Sequence, residues 1–136
     1  MTKIAIAAIA LSLASTSALA QTVDVGTVNW SKLPALKERE GRLNYADLAT
    51  KVEGILKRGC KIPGQSARRF DITVPYAALV EPNGKVSRVV VSDMKCPELE
   101  VLVGHAAIAR SDAGDFLPTG ADKASWYGGA INFNLH

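Results

Sequence analysis

The residues of this chain best equipped for chemistry are two histidines, His105 and His136, two cysteines, Cys60 and Cys96, and two glutamates, Glu98 and Glu100. A metal pair on a helix needs a second ligand one turn away, but Val101 and Ala109 occupy those positions around His105, and His136 is the terminal residue. The serines lack the G-x-S-x-G elbow that exposes a nucleophile. Glu98 and Glu100 lie two residues apart, so on a helix they diverge and cannot share a proton as a carboxylate dyad. Gly128-Gly129 leads into Ala130-Ile131 with no Gly-Lys-Ser/Thr sequence to cradle a phosphate. Residue types and spacing therefore point to no catalytic residue, no metal ligand and no cofactor. A small enzyme becomes the least favoured class, and recognition the chemistry that remains.

The first twenty residues suggest where that recognition occurs. Lys3 precedes an apolar run of Ala, Ile and Leu, and Ala18-Leu19-Ala20 is an A-x-A cleavage signal. Residues 1–20 thus read as a secretory signal peptide, cut before Gln21. Its apolar core of about 16 residues is shorter than the roughly 20 that span a bilayer, which argues against a stable membrane anchor. The expected location is periplasmic or secreted. An even cysteine count in an oxidising compartment favours one structural disulfide, Cys60–Cys96, over a redox pair, which wants C-x-x-C spacing. Closing a loop of about 36 residues stabilises the fold by about 4 kcal/mol in the chain-entropy model.

The net charge is +3, and losing Lys3 with the signal leaves +2. The mature chain, about 116 residues, is long enough for one modest core. Basic residues gather only at Lys57-Arg58, Lys61 and Arg68-Arg69. That cluster could bias binding towards an acidic surface, but nucleic acid is not an expected partner of an exported protein.

The elements that must position any site follow from periodicity. Residues 21–42 show no sustained period and read as an extended lead-in, with Trp30, Leu33 and Leu36 able to dock on the body. From Asn44, apolar residues at Tyr45, Leu48, Ala49, Val52, Ile55 and Leu56 recur every three or four positions, an amphipathic helix capped by Asn44 and stopped at Gly59. From Phe70 to Val80 the even positions are apolar, a strand in which Pro75 implies a bulge or an unpaired amide. Asn83-Gly84 turns the chain back into Val86–Val91. Pro97 starts a second helix, with Glu98 and Glu100 at its positive end. Ile131, Phe133 and Leu135 alternate with Asn132 and Asn134 in a final half-buried strand from Gly129, which Trp126-Tyr127 leads into. Directions then set the topology: the final strand must lie beside the first long one, giving a three-stranded antiparallel sheet in the order 2-1-3 with the last strand at an edge.

Residues 71–135, with a strand, the Asn83-Gly84 turn, a valine-rich strand, Cys96-Pro97 opening a helix and the Ala130–Leu135 strand, resemble the C-terminal domain of TonB, the periplasmic energy transducer. Phe116-Leu117-Pro118 is similar to that family's aromatic-x-Pro stretch before its last strand. The resemblance implies an α+β fold for residues 43–136: an N-terminal helix, then ββαβ covered by helix, with binding rather than catalysis as its work. It also implies docking of a peptide or envelope protein, such as an outer-membrane receptor, by strand addition along the final edge. The chain departs from the family in having a cleavable signal in place of a membrane helix, no proline-rich spacer, and no Tyr-Pro before the first strand, where Lys61-Ile62-Pro63 stands. A free-standing module of this kind has no means of transmitting proton-motive force.

The expected binding residues are accordingly Trp126 and Tyr127 with Ala130, Ile131, Asn132, Phe133, Asn134 and Leu135. Adjacent strand residues face opposite sides, so one of the two aromatics is expected at the surface. Tyr76 shares a face with Ile72 and Val74 and is read as core. The alternative function is structural, a homodimer formed by pairing the same edge of two copies.

Overall fold

The computed structural model describes residues 22–40 and 44–136; the expected signal segment lies outside them. Among the described residues no helix is long and apolar enough to cross a membrane.

Helix α1, Tyr45–Lys57, begins where the Asn44 side chain accepts a hydrogen bond from the Asp47 amide, the N-cap that its residue type favours. Leu48, Val52, Ile55 and Leu56 form its buried stripe. Strand β2, Phe70–Val80, returns through a tight turn into β3, Val86–Ser92. Gly84 serves that turn twice over. Its φ is 94°, and a Cβ there would stand 2.7 Å from the Phe116 carbonyl oxygen. Helix α2, Pro97–Asp112, starts directly after the N-cap Cys96. The buried Glu100 carboxylate folds back to accept from the amides of Met94 (2.6 Å) and Cys96 (3.3 Å), satisfying donors that precede the helix. Cys60 and Cys96 are joined in a disulfide with Cα atoms 5.7 Å apart, tying the end of α1 to the start of α2.

The chain is α+β as expected, but its sheet is four-stranded and mixed, not three-stranded and antiparallel. The strands stand in the order β1-β3-β2-β4, where β4 is Ser125–Leu135. The extra strand, β1, is Thr22–Gly26, and it comes from the segment expected to be an extended lead-in. It pairs in parallel with β3, Val23 opposite Val89 and Val25 opposite Val91. Val23 and Val25 alternate with Thr22, Asp24 and Gly26, but two valines over five residues are too short a pattern to mark a strand without the partner that β3 provides. Val23 packs on α2 at Gly104, where a Cβ would overlap its side chain. The three C-terminal strands keep the expected arrangement, with β2 central and β4 at an edge.

Of the two outcomes expected at Pro75, a bulge or an unpaired position, the structure has the second: Pro75 lies in unbroken register opposite Ala130, and the register shift in β2 falls between Leu79 and Val80. Its missing N–H points towards β3, whose ladder begins only at Tyr76, so no pairing is lost there. The last strand begins at Ser125 rather than Gly129, matching β2 residue for residue. The glycine pair does not break the strand because each glycine makes room for something. A Cβ on Gly129 would lie 2.7 Å from the Tyr76 ring, and one on Gly128 would lie 3.3 Å from Leu33 Cβ on the other face.

Both helices cover one face of the sheet, and the core lies between: Phe70, Ile72, Val74, Tyr76, Val89, Val91, Leu99, Val103, Ile131 and Phe133 are nearly inaccessible to water.

Candidate functional site

Strand polarity decides what the edge offers. Residues of a strand present their N–H and C=O alternately to one neighbour and the other. Gly128 turns both groups away from β2: its N–H donates to the Pro34 carbonyl (2.9 Å), and its C=O accepts from the Leu36 amide (2.8 Å). With the β2–β4 register unbroken from Ser125 to Leu135, Ala130, Asn132 and Asn134 also turn their backbone groups outward. The lead-in thus caps the edge at Gly128 through one isolated parallel bridge with Ala35. It then leaves, Glu38 bridging to Phe116 and the Arg39 amide donating to the Asp115 carbonyl (2.7 Å). The rest of β4 has no strand beyond it among the described residues.

The strap that makes this bridge is fastened at both ends. Before it, the short 3-10 turn Trp30–Lys32 lies against β2 on the sheet face that the helices leave uncovered. After it, Glu38 is paired with Arg110 of α2 at 3.0 Å, and the Arg110 side chain is only 6% exposed. The same guanidinium lies 3.8 Å from the buried Asp115 carboxylate and 5.4 Å from the centre of the Phe116 ring.

A groove of about 630 Å³ runs beside the uncapped part of β4. Its floor is Asn132, Phe133, Asn134 and Leu135; four consecutive residues line it, so the strand's main chain and not one side-chain face is presented. Its wall is α1, through Ala46, Ala49, Thr50 and Glu53. Ala46 and Ala49 on this side of α1 are too short to fill the space between helix and edge.

The expected site residues separate by face. Ile131 and Phe133 are each 1% exposed and point under the helices, so only their backbone belongs to the edge. Ala130, Asn132 and Asn134 are exposed, and Leu135 is half-buried. The Asn132 side-chain oxygen accepts a hydrogen bond from the Thr73 hydroxyl across the sheet (2.5 Å). Trp126 and Tyr127 are both half-buried. Tyr127 packs against the core, while Trp126 lies on the uncovered face, its ring centre 5.9 Å from the Arg88 guanidinium. Arg88 is paired in turn with Asp24 of β1 at 2.9 Å.

His105 lies elsewhere, exposed on α2, lining a second groove of about 660 Å³ between the helices with Lys51, Arg58, Glu98 and Val101. Arg58 donates to one Glu98 oxygen at 2.5 Å, which holds that carboxyl below the usual carboxylate range. Both partners are exposed, so their contribution to stability is small. No group of three or more His, Cys, Asp or Glu side chains among the described residues could hold a metal ion.

Residue periodicity had no means of finding the α1 wall or the Pro34–Leu36 bridge. The one local signal was Ala46 and Ala49, small residues three apart on α1. Compared with known protein families, curated proteins and solved structures, the chain matches none.

Proposed function

We propose that this chain is an exported, non-catalytic docking module that takes up an extended peptide, or a segment of an envelope protein, along the outer edge of β4. The observation that carries the reading is the row of outward backbone groups at Ala130, Asn132 and Asn134 beside an open groove. Main-chain hydrogen bonds to such an edge supply affinity, and alternate side chains supply specificity. The edge position of β4 leaves that row open to pairing. The disulfide agrees with an oxidising, periplasmic or secreted location.

Self-association through the same edge is the second reading. Natural edges are commonly guarded by lysine, proline or an inward charge, whereas β4 carries no charged residue and no proline.

One substitution tests both. Asn132→Pro removes an outward N–H while keeping every inward group of the β2 ladder, and proline is tolerated on the solvent side of an edge strand. On the docking reading the parent is a monomer, and an edge-dependent partner captured from envelope extract is lost by the variant. If the parent sediments as a dimer and the variant as a monomer, self-association replaces docking. A folded Asn132→Pro variant that retains all partners and the parent's mass refutes both.

A further inference from the structure

The strap, the groove wall and the asparagines together restrict what β4 can accept. We infer that its ligand is a short extended segment, about five paired residues long, with a basic side chain on the side facing α1. This rests on the docking reading and adds the chemistry and length of the partner.

The molecule itself demonstrates the mode of binding, since Pro34–Leu36 is an extended segment already added to this edge at Gly128. It also marks where an incoming strand must stop. A segment pairing with Asn134, Asn132 and Ala130 next meets Pro34 and Leu36, which occupy the Gly128 backbone groups. A longer ligand has to leave the edge at that point.

Along this stretch the side chains of an added strand alternate between two surroundings. Those on the helix side face Ala46, Ala49, Thr50 and Glu53. Three of these are small or uncharged, and among the described residues Glu53 is the only charged one lining the groove. Its existing partner, Lys57 at 3.1 Å, is one turn along the same helix and 62% exposed; such pairs are weak and readily exchanged in water. Side chains on the other face meet Asn132, whose oxygen is engaged by Thr73. Its amide hydrogens are left to donate, so a residue with an acceptor fits there. A second copy of this chain is the poorer occupant, because its own β4 (Ser125–Leu135) would bring Glu53 no cation.

The test is selection of random decapeptides displayed on phage against the oxidised mature chain, with subtraction on the Asn132→Pro variant. The expected result is a set of edge-dependent peptides sharing Lys or Arg at one position and avoiding Asp and Glu there. For the consensus peptide, Glu53→Gln should lower affinity about threefold, as loss of one partly exposed charge pair does. Glu53→Lys should turn the selection towards acidic peptides. Residues added to the consensus beyond the one reaching Ala130 should leave its affinity unchanged. Edge-dependent peptides with no basic preference, or affinity unmoved by Glu53→Gln, overturn this inference and leave the docking reading standing. Affinity that grows with residues placed past Ala130 overturns the length limit. Recovery of no edge-dependent peptide removes the docking reading and this inference together.

Discussion

Gly129→Ala asks whether the glycine pair in β4 is a packing requirement. The added Cβ would lie 2.7 Å from both Cζ and Oη of Tyr76 and 3.1 Å from Cε2. Relaxed carbon contacts lie at about 3.5–4.0 Å, so the overlap is about 1 Å. Tyr76 is fully buried and cannot swing out; the strain falls on β4, which as an edge strand can move. Overpacking by a methyl group costs about 1–3 kcal/mol. Alanine returns about 0.4–1 kcal/mol by narrowing the unfolded ensemble. The net loss expected is about 1–2 kcal/mol, or several degrees in Tm. Urea unfolding measures it as a lower midpoint at unchanged slope. Tyr76→Leu, which shortens the ring that the methyl strikes, supplies the control. If the overlap is the cause, the double variant is less destabilised than the sum of the singles by about 1 kcal/mol, well beyond the 0.3–0.5 expected of independent sites. Additive effects, or a Gly129→Ala midpoint equal to the parent's, would refute the reasoning.

Other perturbations reach the disulfide, the strap and the surface charge. Replacing Cys60 and Cys96 together by alanine should cost about 4 kcal/mol for a loop of 36 residues, read as a lower urea midpoint that added reductant no longer shifts. Arg110→Met leaves the buried Asp115 carboxylate without its guanidinium neighbour and releases Glu38; about 3 kcal/mol is expected. Amide exchange at Leu36 and Arg39 should quicken more than global unfolding explains. Glu98 titrates below the usual carboxylate range because Arg58 donates to it. The stabilisation from that pair is therefore complete above the range and lost as pH falls through the lowered value. The small difference in urea midpoint between the parent and Arg58→Gln should accordingly shrink as pH falls below the ordinary glutamate range and close once Glu98 is protonated in the folded protein, and a difference that persists in strong acid would show that Arg58 acts by another route.

What the sequence determined by itself is local. Asn44 capping α1, the even apolar positions of β2, Asn83-Gly84 turning the hairpin and Pro97 opening α2 all act within a few residues, and each is legible as a spacing. The edge position of β4 was legible too, because the directions of successive strands and one helix admit a single antiparallel order. The tertiary structure decided the rest. Residues 22–26 become a strand only because β3 has a free side and Gly104 leaves room for Val23. The sequence starts the last strand at Gly129, and only the packing of Leu33 against Gly128 and Tyr76 against Gly129 shows why it runs on through both glycines from Ser125. The candidate site depends on contacts between residues far apart in the chain: Pro34 and Leu36 ending it at Gly128, Glu38 held by Arg110, Glu53 and its neighbours walling it. Periodicity records which face of an element is apolar. It does not record which distant segment comes to lie along its edge, because that choice is made by the packing of the whole chain.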